Sequence, residues 1–330
     1  MTRPGRARRP GRPRHASGPP ASAAARAVLA VLCAALLLAP AAHGKRRASR
    51  PSPRPRSAAP AAPLAGLAAD SLWRDGKAEF STYAGTARTH AGDTLRAEAV
   101  IAVAREDLDR KLLVKSDVPA DPKVNFPALK QVVTVDFRSG VYRQHLETVS
   151  FLDARTWKLA KLSAVAADAV GMTWVEVRPA GKVWLHRSSS YFDEEGARDL
   201  QLPAGPTAQA LDALPLWLRT QDFASPGRRD LSLDLLPAQA GPHVRRAEVV
   251  PALVHLAEAE SLSVPAGSFL ARRVEVRYLD SVDVMYFDTA FPHLLLRWED
   301  PRGITLELKK SLRLDYWNKT HPGDERLLGE

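Results

Sequence analysis

From Lys77 onward the chain alternates apolar and polar residues with a period of two. Between Thr305 and Asp315 the side chains of Leu306, Leu308, Leu312 and Leu314 share one face with Lys310. Thr305, Glu307, Lys309, Ser311, Arg313 and Asp315 occupy the other. Such alternation predicts a long antiparallel strand with one face in water. Leu95–Val103 repeats the pattern, and Val274, Val276 and Tyr278 alternate with Arg273, Glu275 and Arg277. Further strands are expected at Gln131–Phe137, Val141–Phe151, Thr173–Val177, Lys182–Tyr191, Val282–Phe287 and Leu294–Glu299.

Short turn sequences separate these segments: Arg138-Ser139-Gly140, Pro179-Ala180-Gly181, Pro265-Ala266-Gly267 and Asp300-Pro301-Arg302-Gly303. Connections of this length join hairpins, because parallel neighbours need a crossover of about a dozen residues. One helix is expected, from a Thr207 N-cap to about Leu214, limited by Pro215. A meander of this size must close or stack to protect its edges. The fold class is therefore mainly β: a large curved antiparallel sheet or half-open β-barrel with one short central helix, a shape that often encloses a ligand.

Charge divides the chain. The whole carries a formal +10, yet residues 1–68 hold 13 of the 47 Lys and Arg and no acid, the first being Asp70. The remainder is left with 34 basic and 37 acidic residues, a formal −3, so the basic surplus is no sign of nucleic-acid binding. All 22 aromatic residues lie at or beyond Trp73, while 11 of the 26 prolines lie before residue 69. The expected organisation is a signal peptide over 1–44, a Pro/Ala/Arg linker over 45–68 and an antiparallel β domain over 69–330, divisible into halves 69–225 and 226–330.

Six arginines from Arg3 to Arg14 precede the apolar run Ala27–Pro40, and Ala42-His43-Gly44 places small residues where a signal peptidase reads them. The run is shorter than the roughly 20 residues that span a bilayer. A cleaved export signal is expected, with an uncleaved N-terminal anchor as the alternative, and the location is periplasmic or extracellular in a bacterium. Membrane contact is expected only through the leader or the basic tether. The single cysteine, Cys33, lies inside the apolar run, which leaves the mature chain without disulfides or thiolate ligands.

The common catalytic motifs are missing. GxGxxG, GxSxG, HExxH, the P-loop and SxxK have no match. No cofactor is implied, and the scattered histidines share no metal-binding spacing. On a strand, His186, Ser188 and Ser190 point one way, which makes the His186–Ser188 region the place where a secreted hydrolase would act. Trp174, Trp184, Tyr191, Tyr286 and Trp298 fall on separate strands that a curved sheet can gather on one concave face, suited to an apolar ligand.

The segments Trp73–Tyr83 (WRDGKAEFSTY), Arg96–Arg105 (RAEAVIAVAR), Val114-Lys115-Ser116-Asp117 and Gly140-Val141-Tyr142 resemble a group of uncharacterised exported bacterial proteins. Some of these carry the label septum formation inhibitor Maf-like, although the Ser/Arg-rich phosphate-binding start of those α/β pyrophosphatases is absent here. The segments Val264–Phe269, Val274–Val276, Tyr286-Phe287 and Phe291–Trp298 are similar to a domain of unknown function in periplasmic proteins, likened to the half-open barrel of lipoprotein carriers. The resemblance implies an exported β-rich fold with an apolar ligand and carries no catalytic residues. The leading expectation is thus a non-catalytic envelope protein binding an apolar or lipid-like ligand. The alternatives are the hydrolase and a structural or assembly partner in the envelope.

Overall fold

Fifteen strands lie side by side, most joined by short turns, in a computed structural model that describes residues 66–89, 91–244 and 247–328. The leader and Cys33 lie outside the described residues, as does the linker apart from residues 66–68. Leu67 and Ala68 are already buried against the core, so the folded body takes in the end of the stretch read as linker.

The first half comprises β1 (Ala78–Arg88), β2 (Thr94–Asp109), β3 (Asn125–Ser139), β4 (Tyr142–Asp153), β5 (Leu159–Ala167), β6 (Met172–Ala180), β7 (Val183–Ser190) and β8 (Ala197–Pro203). The second comprises β9 (Ala208–Ala210), β10 (Arg229–Leu236), β11 (Val250–Val264), β12 (Gly267–Tyr278), β13 (Ser281–Asp288), β14 (Leu295–Glu299) and β15 (Ile304–Leu314). Each half is a meander, and the two meet where β1 pairs with β15, giving the order β8-β7-β6-β5-β4-β3-β2-β1-β15-β14-β13-β12-β11-β10-β9. The halves 69–225 and 226–330 are therefore parts of one curved sheet. Every pairing is antiparallel except β9 with β10. The sheet is left open between β8 and β9, which are consecutive in the chain.

Burial follows the alternation. On β7, Trp184, His186 and Ser188 are buried while Leu185, Arg187 and Ser189 are exposed. The buried faces of both halves feed one continuous apolar core. The opposite face carries charge ladders: Lys130 with Glu106 (2.6 Å), Glu176 between Lys161 (3.2 Å) and Arg178 (2.7 Å), Glu275 between Arg273 and Arg277, and Arg297 with Glu299 (2.9 Å). Lys130–Glu106 and Lys161–Glu176 join opposite charges across neighbouring strands, and the other pairs join residues two apart on one strand.

The expected helix is displaced. Residues 208–210 are strand, Leu211–Ala213 form a 3₁₀ turn, and the α-helical turn α1 runs only from Leu214 to Trp217 before a second 3₁₀ turn, Leu218–Thr220. Pro215 sits in the first turn of α1, where a missing N–H costs nothing, so it opens the helix instead of stopping it. Thr207 caps no helix; its hydroxyl donates to Asp234 Oδ2 at 2.9 Å. Among the described residues no helix is long and apolar enough to cross a membrane.

The β1–β15 seam is tight. Ser81 Oγ donates to Ser311 Oγ at 2.8 Å, and Gly85 lies so close to β15 that an added Cβ would stand 2.1 Å from the Thr305 carbonyl oxygen. Gly85→Ala is expected to cost about 1–3 kcal/mol through overpacking, seen as a lower urea midpoint. Gly66→Ala, with open space around it, should leave the midpoint where it is; equal midpoints for both would contradict this register.

Candidate functional site

The concave side of the sheet is filled by the chain itself. Every residue from Ala208 to Gln221 is buried, and Leu211, Leu214, Leu216, Trp217 and Leu218 project into the core. The stretch is buried on all sides, its polar residues Gln209, Asp212, Arg219, Thr220 and Gln221 included, so these need partners inside. A second segment, Pro237–Gly241, is buried beside it.

Three polar ties hold these segments in place. In the first, the Arg219 guanidinium meets the Glu79 carboxylate of β1 in a bidentate pair, Nη1 and Nη2 each 2.8 Å from an oxygen, and Nε donates to Pro292 O at 2.8 Å. The Trp73 ring lies within 5.7 Å of the Arg219 guanidinium carbon and 5.4 Å of that of Arg313. The side chains of Arg219 and Glu79 are 3% and 6% exposed, so each charge depends on the other to offset its loss of water.

The second tie centres on Asp212. Its Oδ2 accepts the Gln239 N–H at 2.8 Å and its carbonyl accepts Gln131 Nε2 at 2.8 Å. Gln239 Oε1 in turn lies 3.0 Å from His186 Nε2. Arg302 donates to Ala240 O at 2.7 Å and pairs with Asp300, so Ala208–Gln221 (the plug), Pro237–Gly241 (the strap) and the sheet share one network. The third tie is at the rim, where Glu195 accepts from Ser190 Oγ and from Val244 N (2.9 Å) and lies 3.0 Å from His243 Nδ1.

The interior holds more acid than base. Asp212, Asp283 and Asp300 are buried around one guanidinium, Arg302. Asp283 accepts from Tyr278 Oη and Trp298 Nε1, each at 2.9 Å. Burial, reinforced by the charge of Asp300, pushes the Asp212 carboxyl up to about 6. Burial and Asp300 raise Asp283 as well. Burial lowers His186 and His293, which favours their neutral forms. A cavity of about 30 Å³ remains among Leu146, Asp212, Trp298, Arg302 and Leu306. That is space for about one water molecule.

The five aromatic residues do not gather. Trp184 and Trp298 are buried on the concave side, Trp298 tied to Asp283. Trp174 lies on the convex face between buried Thr173 and Val175. Tyr286 does likewise between Met285 and Phe287, with the Arg297 guanidinium 6.0 Å from its ring. Tyr191 is 67% exposed in the β7–β8 turn, packed over Gly171. The period of two explains the split: residue parity, not residue type, decides the face.

His186 and Ser188 are buried on the concave side, yet they are not bonded to each other. His186 Nδ1 and Ser188 Oγ have no hydrogen-bond partner, and Gln239 takes the other ring nitrogen. Among the described residues no group of three or more His, Cys, Asp or Glu is placed to hold a metal ion. Sequence reasoning passed over Glu79, Asp212, Arg219, Asp283 and Arg302. The available signal was a charge falling in phase with apolar neighbours, as Asp283 does with Met285 and Phe287.

No family model matches the chain, and no curated protein matches it. Among solved structures it is similar to a β-barrel-like protein of the domain of unknown function DUF1849 from Brucella abortus. The two are 12% identical, with 72% of this chain and 98% of that chain covered and a TM-score of 0.44.

Two predictions follow from the ties. Glu79→Gln leaves the buried Arg219 without its counter-charge and should lower stability by about 3–5 kcal/mol, whereas the double change Glu79→Leu with Arg219→Met should recover most of it; calorimetry on the three proteins decides. Asp212 is held to about 6 in the folded chain and titrates at 3.8 when exposed. The folded chain thus keeps a proton that the unfolded chain has lost, and stability falls as pH rises from about 4 to about 6. Asp212→Asn should therefore gain on the parent between pH 4 and pH 8 by on the order of 2–3 kcal/mol. His186 and His293 act in the opposite sense below 6.5 and cancel in that difference. A difference that stays flat with pH would show that Asp212 is not desolvated.

Proposed function

We propose that the protein is a non-catalytic, exported protein of the bacterial envelope that binds an apolar or lipid-like ligand on the concave face of its sheet. The observation that carries this reading is the filling of that face by one buried segment, a short strand and a run of short helical turns, where other folds use a second layer of sheet or helix. Ala208–Gln221 offers Leu, Trp and Ala side chains to the sheet in the way an acyl chain would. Its polar ties run through a few residues, and apart from the short β9–β10 pairing no strand ladder depends on it, so its removal exposes an apolar trough. The leader and the basic tether support the export part of the reading.

The test is a fluorescence titration of delipidated protein with a hydrophobic dye and with a panel of phospholipids and fatty acids. Saturable binding is expected, and Glu79→Gln, with its plug loosened, should bind several-fold more tightly by the fraction of open chain it gains. If neither protein binds any probe saturably, the reading is wrong.

A further inference from the structure

The β2–β3 hairpin outruns its neighbours. β1 stops pairing with β2 at Val103, and β4 stops pairing with β3 at Ala128, while the β2–β3 ladder continues to Asp109 and Asn125. Beyond it lies the tip, residues 110–124. Leu108, Phe126 and Ala128 form a small core of their own at its base, with Arg110 5.2 Å from the Phe126 ring. The tip is thus a supported projection and not a loose loop. Arg110 N–H donates to Val124 O and Asp109 N–H to Val114 O, both at 2.9 Å, which draws the two arms together.

At its end the tip carries apolar side chains turned to water: Leu112 (58% exposed), Val114 (45%), Val118 (53%) and Val124 (41%). Around them stand Arg110, Lys111, Lys115 and Lys123, against Asp117 and Asp121. Asp121 is exposed and accepts the Lys123 N–H at 2.9 Å, as Asp109 accepts those of Lys111 and Leu112. Lys115 Nζ lies 3.3 Å from Asp117 Oδ1 in an exposed pair that an anionic surface can replace, and Lys111 and Lys123 have no ion-pair partner among the described residues. A locally basic, aliphatic projection, four cations against two acids over 110–124, thus belongs to a domain whose formal charge, tip included, is −3.

We infer that this tip docks on an anionic lipid surface, with Leu112, Val114, Val118 and Val124 entering the headgroup layer and Lys111, Lys115 and Lys123 meeting phosphates. The composition favours lipid over a protein partner. Protein interfaces are rich in aromatic residues and poor in Lys, whereas here three of the four cations are Lys and the apolar side chains are all aliphatic. Long Lys side chains beside aliphatic groups suit a bilayer interface. This contact is separate from the leader and the tether and does not depend on a ligand in the trough.

A probe placed in the tip separates it from the leader. In the full chain, Cys33→Ser removes the only cysteine, and Leu112→Cys takes an environment-sensitive dye. Vesicles of phosphatidylcholine containing phosphatidylglycerol should shift the emission to the blue; pure phosphatidylcholine vesicles should not. Adding Lys111→Glu, Lys115→Glu and Lys123→Glu should weaken the effect about a hundredfold or more, since each cation near such a surface contributes about fivefold. Unchanged emission, an equal shift with zwitterionic vesicles, or an equal shift from a dye at Val141→Cys on another hairpin would each overturn the inference. So would a shift that grows with protein concentration in the absence of vesicles, which would mark the tip as a contact between copies of this chain.

Discussion

The ladder between β1 and β15 joins the two halves of the molecule, and the interior exists because of it. Without that ladder there are two open meanders of eight and seven strands, each with an apolar face and nothing to lay on it. With it, the faces belong to one curved surface and can share a core. The close approach at Gly85 shows how little slack the join has. A side chain there would push apart the strands that define the curve.

A curve of fifteen strands encloses more space than their side chains fill, and the chain spends the segment from Ala208 to Gln221 on the remainder. That solution brings backbone polar groups and charges inside, so the core contains features a sandwich of two sheets avoids. Arg219 and Glu79 neutralise each other; Asp212, Asp283 and Asp300 share Arg302, and burial pushes Asp212 and Asp283 toward their protonated forms. The interior is thus stable in proportion to how well a few charges are matched, and its weakest point is a surplus of carboxylate.

The alternation of residue type made the class of fold, most strands of the second half and the hairpin turns readable from the chain. The join of β1 to β15 was not, because pairing between strands so far apart in sequence leaves no local mark. The helix lies later than the sequence pattern predicts because Pro215, which reads as a stop, can equally begin a helical turn. The candidate site was read from residue type, and aromatics were grouped by what they bind. Parity along each strand, which separates Trp174 and Tyr286 from Trp184 and Trp298, was the better guide. Inward charges such as Asp283 and Glu79 were visible as interruptions of an apolar phase, and they proved to be the ties of the interior.

The same join sets the order in which the molecule can be completed. β1 is made early, and its partner β15 is among the last strands to be synthesised, roughly two hundred residues and, at about 5–20 residues per second, some ~10–40 s later. Throughout that interval one flank of β1 has unpaired backbone groups, and the trough has no far wall. A chain built this way stays unfinished until its final strand arrives, and an early-made half has an exposed strand edge that other chains can pair with.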